Sequence, residues 1–149
     1  MTRHCTLAFV AGLHLATAAV ALRYAVERDL AMDAFGVHRR GQDVPRDAWF
    51  LGTGITPPLV MMAVQAAAST VVVRRPSVGA ARTLGVIGAV MATGYVAERQ
   101  TRVALTRWDS RVTPLTAAGL ALTVPLIGLG LSSQGSRRGP AGPRLVDPG

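Results

Sequence analysis

The chain has no lysine, one cysteine, and only two each of tyrosine, glutamate and tryptophan. Each shortage removes a class of function. A lone cysteine, Cys5, excludes an internal disulfide, a CxxC redox pair and a cysteine zinc site. The "MTRH" before it forms no lipoprotein cleavage box. All sixteen basic residues are arginine, and they gather at the ends of apolar blocks. Headgroups and topology rules place cations there, so the net charge of +8 is not the footprint of a nucleic-acid binder. No Walker loop, dinucleotide fingerprint, HExxH or Gly-x-Ser-x-Gly is present, and no motif carries a family resemblance. The Arg-only, Ala/Val/Gly-rich usage points to a GC-rich bacterial genome.

What is abundant is uninterrupted apolar sequence. Half of the 149 residues are hydrophobic and only 16% are charged. Cys5–Leu22 carries no charged residue and one histidine, His14; Trp49–Val73, Thr83–Ala97 and Val112–Ser136 carry no charged residue. A bilayer core of about 30 Å needs roughly 20 helical residues. The third block reaches that length if it starts at Val78 and lets Arg82 snorkel to the headgroups. Four spans are therefore expected, at about 5–26, 52–73, 78–97 and 112–133. A soluble bundle would show polar stripes at helical spacing, whereas "LVMMAVQAAASTVVV" has none. The first block is longer than a cleaved secretory segment, although "AVA" at 19–21 resembles a cleavage site.

The scarce residues fall into a repeat. "YAVERD" at 24–29 and "YVAERQ" at 95–100 use both tyrosines and both glutamates, aligning Tyr24, Glu27 and Arg28 with Tyr95, Glu98 and Arg99. Trp49 and Trp108 each precede a Thr-Pro step, "ITPPL" at 55–59 and "VTPL" at 112–115. The pattern predicts a duplicated two-helix hairpin, about 1–73 and 78–133. The fold expected is all-α, an integral membrane four-helix bundle over 1–133, its hairpins related by a pseudo-twofold along the membrane normal. The Thr-Pro steps predict helix starts, with Thr capping and Pro in the first turn.

Tyr, Glu and Arg at i, i+3 and i+4 share one side of a helix. One reading makes Tyr-x-x-Glu-Arg a boundary marker where each helix leaves lipid. The sharper reading has Glu27 and Glu98 converging across the axis, each paired with the other unit's Arg28 or Arg99. Inside the membrane, His14 is rare enough to suggest function, and Gln65 is its expected partner by depth. The candidate polar site is thus Tyr24, Glu27, Arg28, Tyr95, Glu98, Arg99, His14 and Gln65. No catalytic residue, cofactor or metal is expected.

The remaining expectations concern packing, loops and role. Ala8, Gly12 and Ala16, and Gly88 and Ala92, lie four apart and suggest close helix approach. Pro125 should kink the last helix, with Thr123 or a neighbouring helix meeting the freed carbonyl. "DLAMDAFGV" at 29–37 suggests a short interfacial helix through Leu30, Met32, Phe35 and Val37, followed by a turn at Gly41 and Pro45. The Gly/Pro/Arg-rich tail 134–149 is expected to be disordered. Arginine-dense "RRPSVGAAR" favours cytoplasmic termini, although the total on that side, seven arginines against nine, slightly opposes it. The expected role is a non-catalytic structural or accessory component of the bacterial plasma membrane, in contact with lipids and with a homo-oligomer or another membrane protein. A transporter or channel component using Glu27, Glu98, His14 and Gln65 is the alternative, and a redox or enzyme subunit resting on His14 is third.

Overall fold

The computed structural model describes residues 3–34, 37–38 and 41–132. The chain is mostly helical. Its long helices are α1 (Arg3–Glu27), α3 (Leu59–Arg74), α4 (Val78–Ala97) and α6 (Val112–Leu131). Shorter elements are β1 (Asp33–Ala34), β2 (Val37–His38), α2 (Val44–Asp47) and α5 (Arg99–Thr106). α1, α4 and α6 are long and apolar enough to cross a membrane.

The second expected span is shorter than its apolar block. Helix α3 begins at Leu59, not near residue 52, and has 16 residues. The cause is the pair Pro57–Pro58. Each lacks an N–H, and a proline pushes the residue before it out of the helical region. Pro58 itself is extended, at φ −55° and ψ 142°. Residues 52–57 instead form a buried turn in which Thr53 and Thr56 pair backbone to backbone and hydroxyl to hydroxyl, the latter at 2.8 Å.

α1 and α4 barely touch each other, whereas each packs against both α3 and α6, closing a ring. The inward stripe of α1 is Leu7, Ala11, His14, Ala18, Ala21 and Ala25, at alternating steps of four and three. On α6 it is Thr113, Thr116, Gly119, Thr123, Leu126 and Gly130. Apart from Leu7 and Leu126, these interior positions are small or polar. Many large apolar side chains point outward: Phe9, Leu13, Val20, Val64, Val86, Val90 and Val124 are all exposed.

The closest approach is between α4 and α6. A Cβ on Gly130 would stand 2.5 Å from the Gly85 nitrogen and 2.6 Å from the Ala81 carbonyl oxygen, so glycine there lets the two backbones meet. The expected small-residue seam on α1 is not a seam. Gly12 and Ala16 are exposed, and a Cβ on Gly12 would meet nothing within 4 Å. The alanines at 11, 18, 21 and 25 take that role, because α1 is turned by one residue from the assumed face. Gly88 does lie in contact range of Leu126 and Ile127. α6 continues through Pro125, and the Thr123 hydroxyl donates to the Leu120 carbonyl at 2.6 Å.

One end of the ring holds the start of α1 and the end of α6, joined by a hydrogen bond from the Arg3 guanidinium to the Ser132 hydroxyl. There Leu7, Val72, Ala81 and Leu126 form one apolar cluster, and Ser77 caps α4 by accepting the Ala80 N–H at 3.2 Å. The opposite end is more elaborate. α1 stops with Asp29 in a left-handed conformation, φ 52°, and the Leu30 N–H returns to the Ala25 carbonyl at 2.9 Å. The short interfacial helix expected at 29–37 is replaced by the antiparallel pairing of Asp33 with His38 and Ala34 with Val37. Phe35, the tail 134–149 and its expected disorder lie outside the described residues.

Candidate functional site

The two copies of Tyr-x-x-Glu-Arg adopt different local structures. In α1 the helix runs through Glu27, whose exposed carboxylate accepts from Arg23 one turn back at 2.8 Å. The Arg28 guanidinium lies over the Tyr24 ring, 5.7 Å from its centroid. In α4 the helix ends one residue earlier, and Glu98 is extended at ψ 125°. That twist turns its carboxylate inward, where it becomes the N-cap of α5, 3.4 Å from the Gln100 N–H. Both oxygens also accept the Asp33 N–H, at 3.0 and 3.2 Å. Arg99 points out to Asp33 at 3.2 Å. The expected convergence of Glu27 and Glu98, each with the opposite unit's arginine, is therefore not formed. One backbone residue leaving the helix early separates their side chains.

Glu98 is 5% exposed. Removal from water pushes its carboxyl above the usual range, while the N–H groups of Asp33 and Gln100 pull it back. Asp109 is held the other way. It caps α6 by accepting the N–H groups of Val112 and Arg111, at 2.7 and 2.8 Å, and these bonds favour its charged form.

The Thr-Pro steps act differently from the caps expected of them. Helix α6 starts at Val112 and is capped by Asp109. The Thr113 hydroxyl instead ties α6 to α5, donating to the Ala104 carbonyl at 2.8 Å. Thr56 lies three residues before α3 and bonds Thr53. Both tryptophans are exposed at this end.

Tyr95 is buried against α6. A Cβ on Gly119 would stand 2.5 Å from the Tyr95 hydroxyl oxygen, so the absent side chain makes room for the ring. His14 also stands beside it, edge to face, with ring centroids 6.4 Å apart. His14 and Gln65 are both fully buried and adjacent in the interior. Gln65 donates to the Ala11 carbonyl at 3.0 Å and so fastens α3 to α1. Neither His14 ring nitrogen has a partner that meets hydrogen-bond geometry among the described residues, and neither does the Gln65 oxygen.

Beside Tyr95 and Glu98 lies a groove of about 340 Å³ between the start of α3 and the end of α4. Met61, Met91 and Ile55 form apolar walls, and Glu98 and Thr101 stand among its polar groups. Thr101 and the Asp33 loop escape sequence reasoning because they meet Glu98 only through tertiary packing. The available signal was Glu98 itself, a carboxylate heading the amphipathic "RQTRVALT". No group of three metal-binding side chains stands together among the described residues. Comparison of the chain with protein families, with curated proteins and with solved structures finds no match.

Proposed function

We propose that this chain is a non-catalytic, multi-pass component of the bacterial plasma membrane that binds a lipid or a protein partner. In this reading the ring of α1, α3, α4 and α6 is a four-helix membrane bundle made from two duplicated hairpins, with both termini cytoplasmic. The observation that carries it is the apolar outer surface: His14, Gln65, Thr116, Thr123 and Gly130 face inward, while Phe9, Leu13, Val20, Val64, Val86, Val90 and Val124 face outward. Exposed large apolar side chains along whole helices need an apolar surrounding, and small residues at the contacts are how helices associate in lipid. The ring order supports the duplication, since exchanging α1 with α4 and α3 with α6 leaves the neighbours unchanged. The short α3 still fits four crossings. Non-helical backbone is tolerated at membrane depth where protein covers it, and residues 52–57 are buried.

The test is extraction and labelling. The chain should resist alkaline carbonate. With Cys5 replaced by Ser, a cysteine at Ser77 should label from the cytoplasm and one at Trp108 from outside. Native mass spectrometry from membranes should then retain a lipid or protein. A bare chain that instead supports flux in proteoliposomes, lost in Glu98→Gln, would favour the transport alternative.

A further inference from the structure

We propose that the groove between α3 and α4 is a binding site for a small lipophilic amine, with the amine seated between Glu98 and Thr101. This deepens, and rests on, the reading of the chain as a membrane binding protein. The volume of about 340 Å³ falls within the range of small-molecule pockets, roughly 300–1,000 Å³. Its walls are methionines, prolines and aliphatic side chains, and its lining includes Val90 and Thr93, which are exposed on the outer face of α4. An apolar body can thus enter from the side that faces lipid in the proposed bundle.

The polar end selects the head. Among the described residues no arginine or histidine lines the groove, and Glu98 is the one charged group there, in a chain of net charge +8. Its oxygens already take the N–H groups of Asp33 and Gln100, an arrangement that suits the ionised, acceptor-only form. A carboxylate accommodates about four bonds, so capacity remains. Thr101 adds the second observation. It is 0% exposed, and its hydroxyl has no hydrogen-bond partner among the described residues. A buried hydroxyl left unpaired is costly, and an ammonium N–H placed there would satisfy it while neutralising Glu98. An anionic head would meet the like charge of Glu98, with no cation among the described lining residues to offset it. A phospholipid is too large for this volume, so the occupant is a free amine and not a lipid headgroup.

The experiment uses the full chain in phosphatidylcholine nanodiscs and three calorimetric titrants sharing one cage: 1-adamantylamine, 1-adamantanol and 1-adamantanecarboxylate. The amine should bind at least about tenfold more tightly than the alcohol, a difference of about 1.4 kcal/mol, and the carboxylate should not bind. Glu98→Gln should remove the amine's advantage and leave the alcohol unchanged. If that variant loses its helical circular dichroism, Gly94→Leu carries the test. Gly94 lines the groove, a Cβ there meets nothing within 4 Å, and a leucine should fill the space and abolish amine binding. Equal affinity for all three titrants, or amine binding unaffected in either folded variant, would overturn the proposal. So would loss of amine binding on changing to phosphatidylethanolamine, which would make the lipid head the occupant. A carbonate-resistant chain that binds no amine loses only the groove. A carbonate-extractable chain loses the membrane reading, and the same titration in buffer still decides the groove.

Discussion

Both oxygens of Glu98 accept the backbone N–H of Asp33, across 65 positions of sequence. The same carboxylate caps α5, so one side chain ties the loop after α1 to the helix after α4. Its counterpart Glu27 makes a one-turn surface pair. Glu27→Gln should change thermal stability by no more than about 1 kcal/mol, since exposed ion pairs contribute little. Glu98→Ala should cost about 1–3 kcal/mol by leaving buried N–H groups unpaired. The Glu98/Arg28 double-mutant cycle should be additive within about 0.5 kcal/mol, because the two share no contact. Thermal unfolding in detergent, followed by circular dichroism, reads all three; strong coupling would mean that Arg28 reaches Glu98.

Glu98 should also set a pH dependence. Its folded-state pKa is raised above the ordinary value of 4.5, so the folded protein holds the proton more tightly than the unfolded chain. Its contribution is fully present below the unfolded value and is lost as pH rises through the raised one. Stability should therefore decline with pH from about 4.5 upward, and Glu98→Gln, which cannot ionise, should flatten that part of the profile. An unchanged slope in the variant would assign the decline to another group.

Two glycines of one helix chemistry should respond oppositely to alanine. Gly130→Ala places a methyl against the α4 backbone, which cannot move aside, and should cost about 1–3 kcal/mol. Gly12→Ala points into open space and should stabilise by roughly 0.5–1 kcal/mol through reduced chain entropy. Melting temperatures of the two variants, measured side by side, should move in opposite directions.

The interior polar pair should separate in the same way. Gln65→Leu removes the bond to the Ala11 carbonyl and should cost roughly 0.6–2 kcal/mol. His14→Phe keeps a ring against Tyr95 and deletes two nitrogens that lack a partner of hydrogen-bond geometry among the described residues, so it should be neutral or stabilising. Marked destabilisation of His14→Phe in the same assay would show that those nitrogens are bonded in the folded protein.

The helical class and the apolar helices α1, α4 and α6 were legible in the sequence, because uninterrupted apolar blocks and their length are local properties. The ends at Glu27 and Ala97 followed from the same residues that suggested the repeat. The start of α3 was local too, in Pro57–Pro58, but the apolar run concealed it. What only the tertiary structure decided is where equivalent residues go. Tyr24 and Tyr95, or Glu27 and Glu98, have nearly the same neighbours in sequence, yet a single residue leaving the helix at Glu98 buries one carboxylate and leaves the other in the open. Gly119 makes room for Tyr95, and Asp33 supplies the N–H that Glu98 accepts. Those partners lie 24 and 65 positions away. Periodicity shows which residues share a face, but the facing side chain on another helix is set by packing, so the groove, its carboxylate and the unpaired Thr101 exist only once the ring has closed.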